Sequence, residues 1–107
     1  MRPVRWSTRA KTSISAIFDY FEYREEPDVA HRLAARIVAA GDALGQHSTG
    51  RPSPVPNTYL KSLPDIRYIL IYRIEGRPDA ERIMILDVVH ASRDLGFGGR
   101  LTKPKRQ

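Results

Sequence analysis

The sequence predicts an α+β domain of order β-α-α-β-β-β, with an N-terminal helical hairpin packed on a small antiparallel sheet. Three observations predict it. Apolar residues recur at helical spacing in two adjoining stretches before residue 45. Alternating, β-branched stretches dominate after residue 58. A Gly- and Pro-rich segment divides the two regimes, and two helices over one sheet face is a standard layer arrangement.

Pro3-Val4-Arg5-Trp6 alternates apolar with polar and reads as a short strand. Ser7 is the expected N-cap of the first helix, since its hydroxyl can accept a free N–H of the first turn. Ala10, Ile14, Ile17, Phe18 and Phe21 then form one helical face. Acidic residues crowd the following junction (Asp19, Glu22, Glu25, Glu26, Asp28), where negative charge suits the start of a second helix and Pro27 suits its first turn. Ala30, Leu33, Ala34, Ile37, Ala40 and Leu44 form that helix's stripe, and Gly45 is its stop signal. Only a few residues around Arg24–Glu26 join the helices, so they form a hairpin.

Residues 45–57 hold two glycines and three prolines, which forbids a regular element across the stretch and marks it as a spacer from helix to sheet. Tyr59–Ser62 is a short strand and Leu63-Pro64-Asp65 a turn. Ile66–Ile74 is the strongest strand, with Tyr68, Leu70, Tyr72 and Ile74 on one face and Arg67, Ile69, Ile71 and Arg73 on the other. Glu75–Asp79 turns the chain into the partner strand Arg82–His90. The domain runs over residues 1–95, and 96–107 is a basic tail with little to bury.

A chain of 107 residues is one domain by size, and 41% hydrophobic with 28% charged residues marks an ordinary globular protein. Having no cysteine removes disulfides, thiolate metal sites and cysteine nucleophiles, and suits a reducing cytoplasm. No apolar run approaches the ~18 residues of a membrane span, and the N-terminus lacks a signal peptide's apolar stretch. The net charge of +6 favours an acidic partner, either nucleic acid or an acidic protein segment. No phosphate-binding loop, dinucleotide fingerprint, zinc-protease motif or calcium loop is present. His31, His47 and His90 lack metal-ligand spacing, so neither metal nor cofactor is expected.

Val4-Arg5-Trp6-Ser7 before a helical hairpin, then Gly50-Arg51-Pro52, then Ile66–Ile74, then Ile85–His90 followed by Ala91-Ser92-Arg93-Asp94, resembles the ParE/RelE superfamily of bacterial type II toxins. The resemblance covers residues 3 to about 95, and the ending His90-x-x-Arg93-Asp94 is closest to the ParE branch. It implies a toxin that inhibits DNA gyrase without chemistry of its own. The alternative it implies is a RelE-like, ribosome-dependent mRNA endonuclease. A second alternative, from charge alone, is a non-toxic nucleic-acid-binding module.

Metal-free RNA cleavage needs a base, an acid and cations around the phosphate. The candidates are His90 with Lys61, Arg67, Arg73 and Arg82. Against that reading, Asp87 lies on the same strand as His90, where many relatives carry a basic residue, and no tyrosine follows Tyr72. The plainer role for His90 is a strand-end imidazole bonded to a backbone group or to Asp94. Arg93, Asp94, Arg100, Lys103, Lys105 and Arg106 are the candidate contacts to target or antitoxin. The resemblance further implies a cognate acidic antitoxin, operator DNA bound only through that antitoxin, gyrase as target, and no membrane partner. Exposed sheet edges leave room for a homodimer or a higher-order toxin–antitoxin assembly.

Overall fold

A computed structural model describes residues 1–92. The elements are β1 (Val4–Trp6), α1 (Thr8–Tyr23), α2 (Pro27–Ala43), β2 (Arg51–Pro52), β3 (Thr58–Leu63), β4 (Tyr68–Glu75) and β5 (Arg82–His90). The strands form one sheet in the order β1-β5-β4-β3-β2.

Local chemistry accounts for the hairpin. Ser7 Oγ accepts the Ala10 N–H at 3.0 Å, capping α1, and donates to the Leu86 carbonyl at 2.9 Å, tying the cap to β5. Glu25 takes a left-handed φ of 61° to reverse the chain, and Pro27 opens α2. The stripes of both helices then cover one sheet face, burying Ala10, Ile37, Ala40 and Leu44 against Leu63, Leu70, Tyr72, Ile83, Ile85 and Val88. The opposite sheet face carries a second small cluster of Leu60, Ile69 and Val89, with Ile71 beside it.

The structure corrects four details of the sequence reading. The sheet is mixed, because β1 runs parallel to β5 with Val4 opposite Ile83 and Trp6 opposite Ile85. A strand joined to the rest only through two helices has no tight turn to fix its direction, and alternation looks the same either way. Residues 51–52, inside the stretch expected to hold no element, pair with Leu60 and Tyr59 as β2. Ile66 and Arg67 belong to the turn and not to β4, since both N–H groups donate to the Leu63 carbonyl and Arg67 has φ 66°. Gly45 does not end α2 through a left-handed conformation; a Cβ there would collide with the Arg2 carbonyl, whose N–H in turn donates to Gly45 O at 2.7 Å.

The long segment 45–57 is pinned rather than free. The Tyr72 hydroxyl, on a wholly buried side chain, accepts the Gly50 N–H at 3.0 Å and pairs with Ser48 Oγ at 3.0 Å. Tyr59 stacks on the Tyr72 ring at 5.5 Å between centroids.

Candidate functional site

The residues singled out for RNA chemistry are distributed over both faces and both ends of the sheet. His90 ends β5 opposite Tyr68, on the face that the helices cover, and meets that ring edge-on at 5.2 Å. Its Nδ1 accepts the Ser92 N–H at 3.2 Å and lies 2.8 Å from Ser92 Oγ. The imidazole therefore binds a backbone group just past the strand, as its plainer role requires. Arg67 is brought beside it, because the Ala91 N–H donates to the Arg67 carbonyl at 2.7 Å. Burial holds the Tyr68 phenol above its ordinary pKa, and the nearby Tyr20 adds to the rise.

Arg73 and Arg82 sit at the other end. Arg73 pairs across the sheet with Thr58 and Met84, and Arg82 stands opposite Glu75. One carboxylate serves both guanidiniums: Arg73 Nε donates to Glu75 Oε2, and Arg82 Nε donates to Glu75 Oε1 at 3.1 Å. These bonds, Arg73's first, hold the Glu75 carboxyl below its ordinary pKa. At ~3.4 Å per strand residue, Arg82 lies roughly 24 Å and Arg73 roughly 17 Å along the sheet from the His90 row. Arg73 also belongs to the face away from the helices, since its neighbours in β4, Tyr72 and Ile74, pack in the helix-side core.

Lys61 is on His90's side of the sheet, two residues from its row but on β3. It pairs with Leu70 on the helix side and lines a groove of about 340 Å³ between the end of α2 and β3, with Arg36, Ala40, Ala43, Leu44, His47 and Leu63 among its walls. Arg36 donates from Nε and Nη2 to Asp65 at 2.9 and 3.1 Å, and this pair keeps the Asp65 carboxyl below its ordinary pKa.

Asp87 does not face any of these cations. A register irregularity between β4 and β5 turns its carboxylate to α1, where it accepts from Ser13 Oγ at 2.6 Å, Arg9 Nε at 3.0 Å and the Val88 N–H at 2.8 Å. Sequence reasoning missed this cluster, although Arg9 and Ser13 stand four apart on one helix face. It also missed the Trp6 Nε1 donation to Asp42 at 3.2 Å, which joins β1 to α2. Arg93, Asp94, Arg100, Lys103, Lys105 and Arg106 lie outside the described residues. Among the described residues, no three acidic or histidine side chains are grouped as metal ligands, and no helix is long and apolar enough to cross a membrane.

The family model of the ParE toxin of the type II toxin–antitoxin system parDE matches residues 4–95. The chain belongs to the ParE toxin family. One relative of this ParE-family chain, "Putative toxin Y4kP" of Sinorhizobium fredii, is 39% identical over 89 residues, covering 82% of this chain and 86% of that protein. Among solved structures, a chain of the chromosomal ParDE system from P. aeruginosa superposes with a TM-score of 0.73 at 26% identity, over 84% of this chain and 96% of the other. A chain of the RelBE2 toxin–antitoxin complex from Mycobacterium tuberculosis gives a TM-score of 0.62 at 21% identity, over 83% and 96%. The isolated E. coli RelE toxin gives 0.53 at 15%, over 89% of each chain. The last two share the fold and carry no more than that.

Proposed function

We propose that this ParE-family toxin is a non-catalytic inhibitor of DNA gyrase, held inactive by a cognate acidic antitoxin. The observation that carries the proposal is the separation of Arg73 and Arg82 from His90, since both lie toward the opposite end of the sheet and on its other face. A phosphorane needs its cations and its proton donor within hydrogen-bond reach of one phosphate, and strand separations of ~17–24 Å exceed that. No histidine follows His90 and no tyrosine follows Tyr72 to replace them. The ParE family match and the likeness to a ParDE chain support the same branch.

Purified gyrase and supercoilable plasmid test it directly. Increasing toxin is expected to abolish supercoiling and accumulate cleaved DNA, and His90→Ala is expected to inhibit as well as the parent. Unchanged supercoiling across a wide dose range overturns the gyrase assignment. The placement of Arg67 and Lys61 toward the His90 end of the sheet favours RNA cleavage. In a translating extract, mRNA cuts that vanish in His90→Ala would establish that second reading.

The antitoxin reading is supported by the net charge of +6, by the ParE family match and by the likeness to a chain of the ParDE system. An acidic segment that folds on binding suits such a surface, and DNA would be met only through the antitoxin. Residues 1–95 are the working domain in this proposal. The basic residues Arg93, Arg100, Lys103, Lys105 and Arg106, with Asp94, are assigned to contacts with target or antitoxin.

A further inference from the structure

We propose that the sheet face turned away from the helices is the docking site of the chain's own segment Leu95–Leu101, folded back over it as an apolar strap. That face holds Leu60, Ile69 and Val89, with Ile71 packed beside them. Val89 stands opposite Ile69 across β5 and β4, and Leu60 stands opposite Ile71 across β3 and β4. Leu60 is 1% exposed, Val89 6% and Ile69 9%, although both helices pack on the other face. Arg51, opposite Leu60, covers the edge of the cluster by donating to Ser62 Oγ at 3.0 Å. One arginine stem at an edge does not enclose three branched side chains on three strands. A pleated sheet points such side chains out of its plane, so burial this complete calls for a further layer.

Position and composition select the occupant. β5 ends at His90, one residue past Val89. The Ala91 N–H donates to the Arg67 carbonyl at 2.7 Å, so the chain is still held to the sheet next to Ser92. From Val89 to Leu60 is about 12 Å, two strand spacings and an offset of two residues. Residues three and five past Ser92 can reach ~11 and ~18 Å, which brings Leu95 and Phe97 within range of the whole cluster. Leu95-Gly96-Phe97-Gly98-Gly99 carries no charge, and its glycines let a backbone lie close on the sheet. The guanidiniums of this face, Arg51 at its edge and Arg73 toward its far end, therefore repel nothing in it.

A second copy of the chain is the competing occupant. Four apolar side chains fall well short of the ~800 Å² per partner that a stable interface buries. A tethered segment has the advantage of an effective concentration on the order of millimolar. With the strap docked, the folded unit runs to Leu101 and leaves Lys103, Lys105 and Arg106 as the basic end. This holds whether the target is gyrase or the ribosome.

NMR on the full chain, labelled in its methyl groups and in phenylalanine, tests the strap. Nuclear Overhauser contacts from the Phe97 ring to the methyls of Leu60, Ile69 and Val89 are expected, unchanged on dilution. Phe97→Ala is expected to abolish the ring-current shifts of those methyls and to speed amide exchange at the same residues. The Leu70 and Ile85 methyls, in the helix-side core, are expected to keep their shifts and so report an intact fold. Should that variant fail to fold, the contacts in the parent decide, since they need no substitution. A parent chain without them overturns the strap. Contacts that prove intermolecular in mixed-label samples, with a mass rising to that of a dimer, overturn it as well and give the face to a second copy.

Discussion

Tyr72 shows how one polar atom can organise a long connection. Its ring is wholly buried, yet its hydroxyl is satisfied by the Gly50 N–H and by Ser48. Tyr72→Phe would leave the Gly50 donor without that partner, and an unmet donor of this kind costs about 1–3 kcal/mol. Urea denaturation should show a midpoint lowered accordingly. Gly50→Ala reaches the same contact from the other side, since a Cβ there would approach the hydroxyl to 2.6 Å. That variant should lose stability as well, with residues 48–52 exchanging their amide protons faster. None of this was legible in the sequence, where alternation alone put Tyr72 in the core. The reason is that a hydroxyl's partner twenty-two residues away leaves no mark on local pattern.

The elements divide by how local their determinants are. Ser7 was readable as a cap because the bond to Ala10 spans three residues, and the Ala10 N–H does donate to it. Ser7→Ala should cost about 1 kcal/mol from the cap, with a further loss from the bond to Leu86, read as a lowered Tm and faster exchange in α1. Gly41 is the opposite case. Inside a helix, glycine reads as a weak point where alanine would gain about 1 kcal/mol. Here the Trp6 ring and Ile85 Cδ1 pack against the helix backbone, and a Cβ on Gly41 would collide with the ring. Gly41→Ala should therefore destabilise the fold, and the Trp6 fluorescence should report the displaced ring. A stabilised variant would refute the packing argument.

At the scale of the molecule, charge links stability to pH. Glu75 is held below its ordinary value of 4.5 by Arg73 and then Arg82, and Asp65 below 3.8 by Arg36. A carboxyl with a depressed folded pKa adds stability above its unfolded value and loses it as pH falls through the folded one. The Tm gap between the parent and Glu75→Gln should thus be constant above about pH 5 and close on further acidification. Raised salt should narrow it too, because Arg73 and Arg82 are about half exposed.

The sequence by itself determined the two helices with their stripes, the β3–β4–β5 meander and the family to which the chain belongs. Each rests on periodicity, caps or motif order, which are properties of neighbouring residues. Tertiary structure alone decided the parallel pairing of β1, the turning of Asp87 to Ser13 and Arg9, and the separation of His90 from Arg73 and Arg82. Strand direction, register irregularity and the distance between side chains are fixed only when distant segments meet. A list of basic residues in a sequence does not say which of them the folded sheet places on one face and at one end.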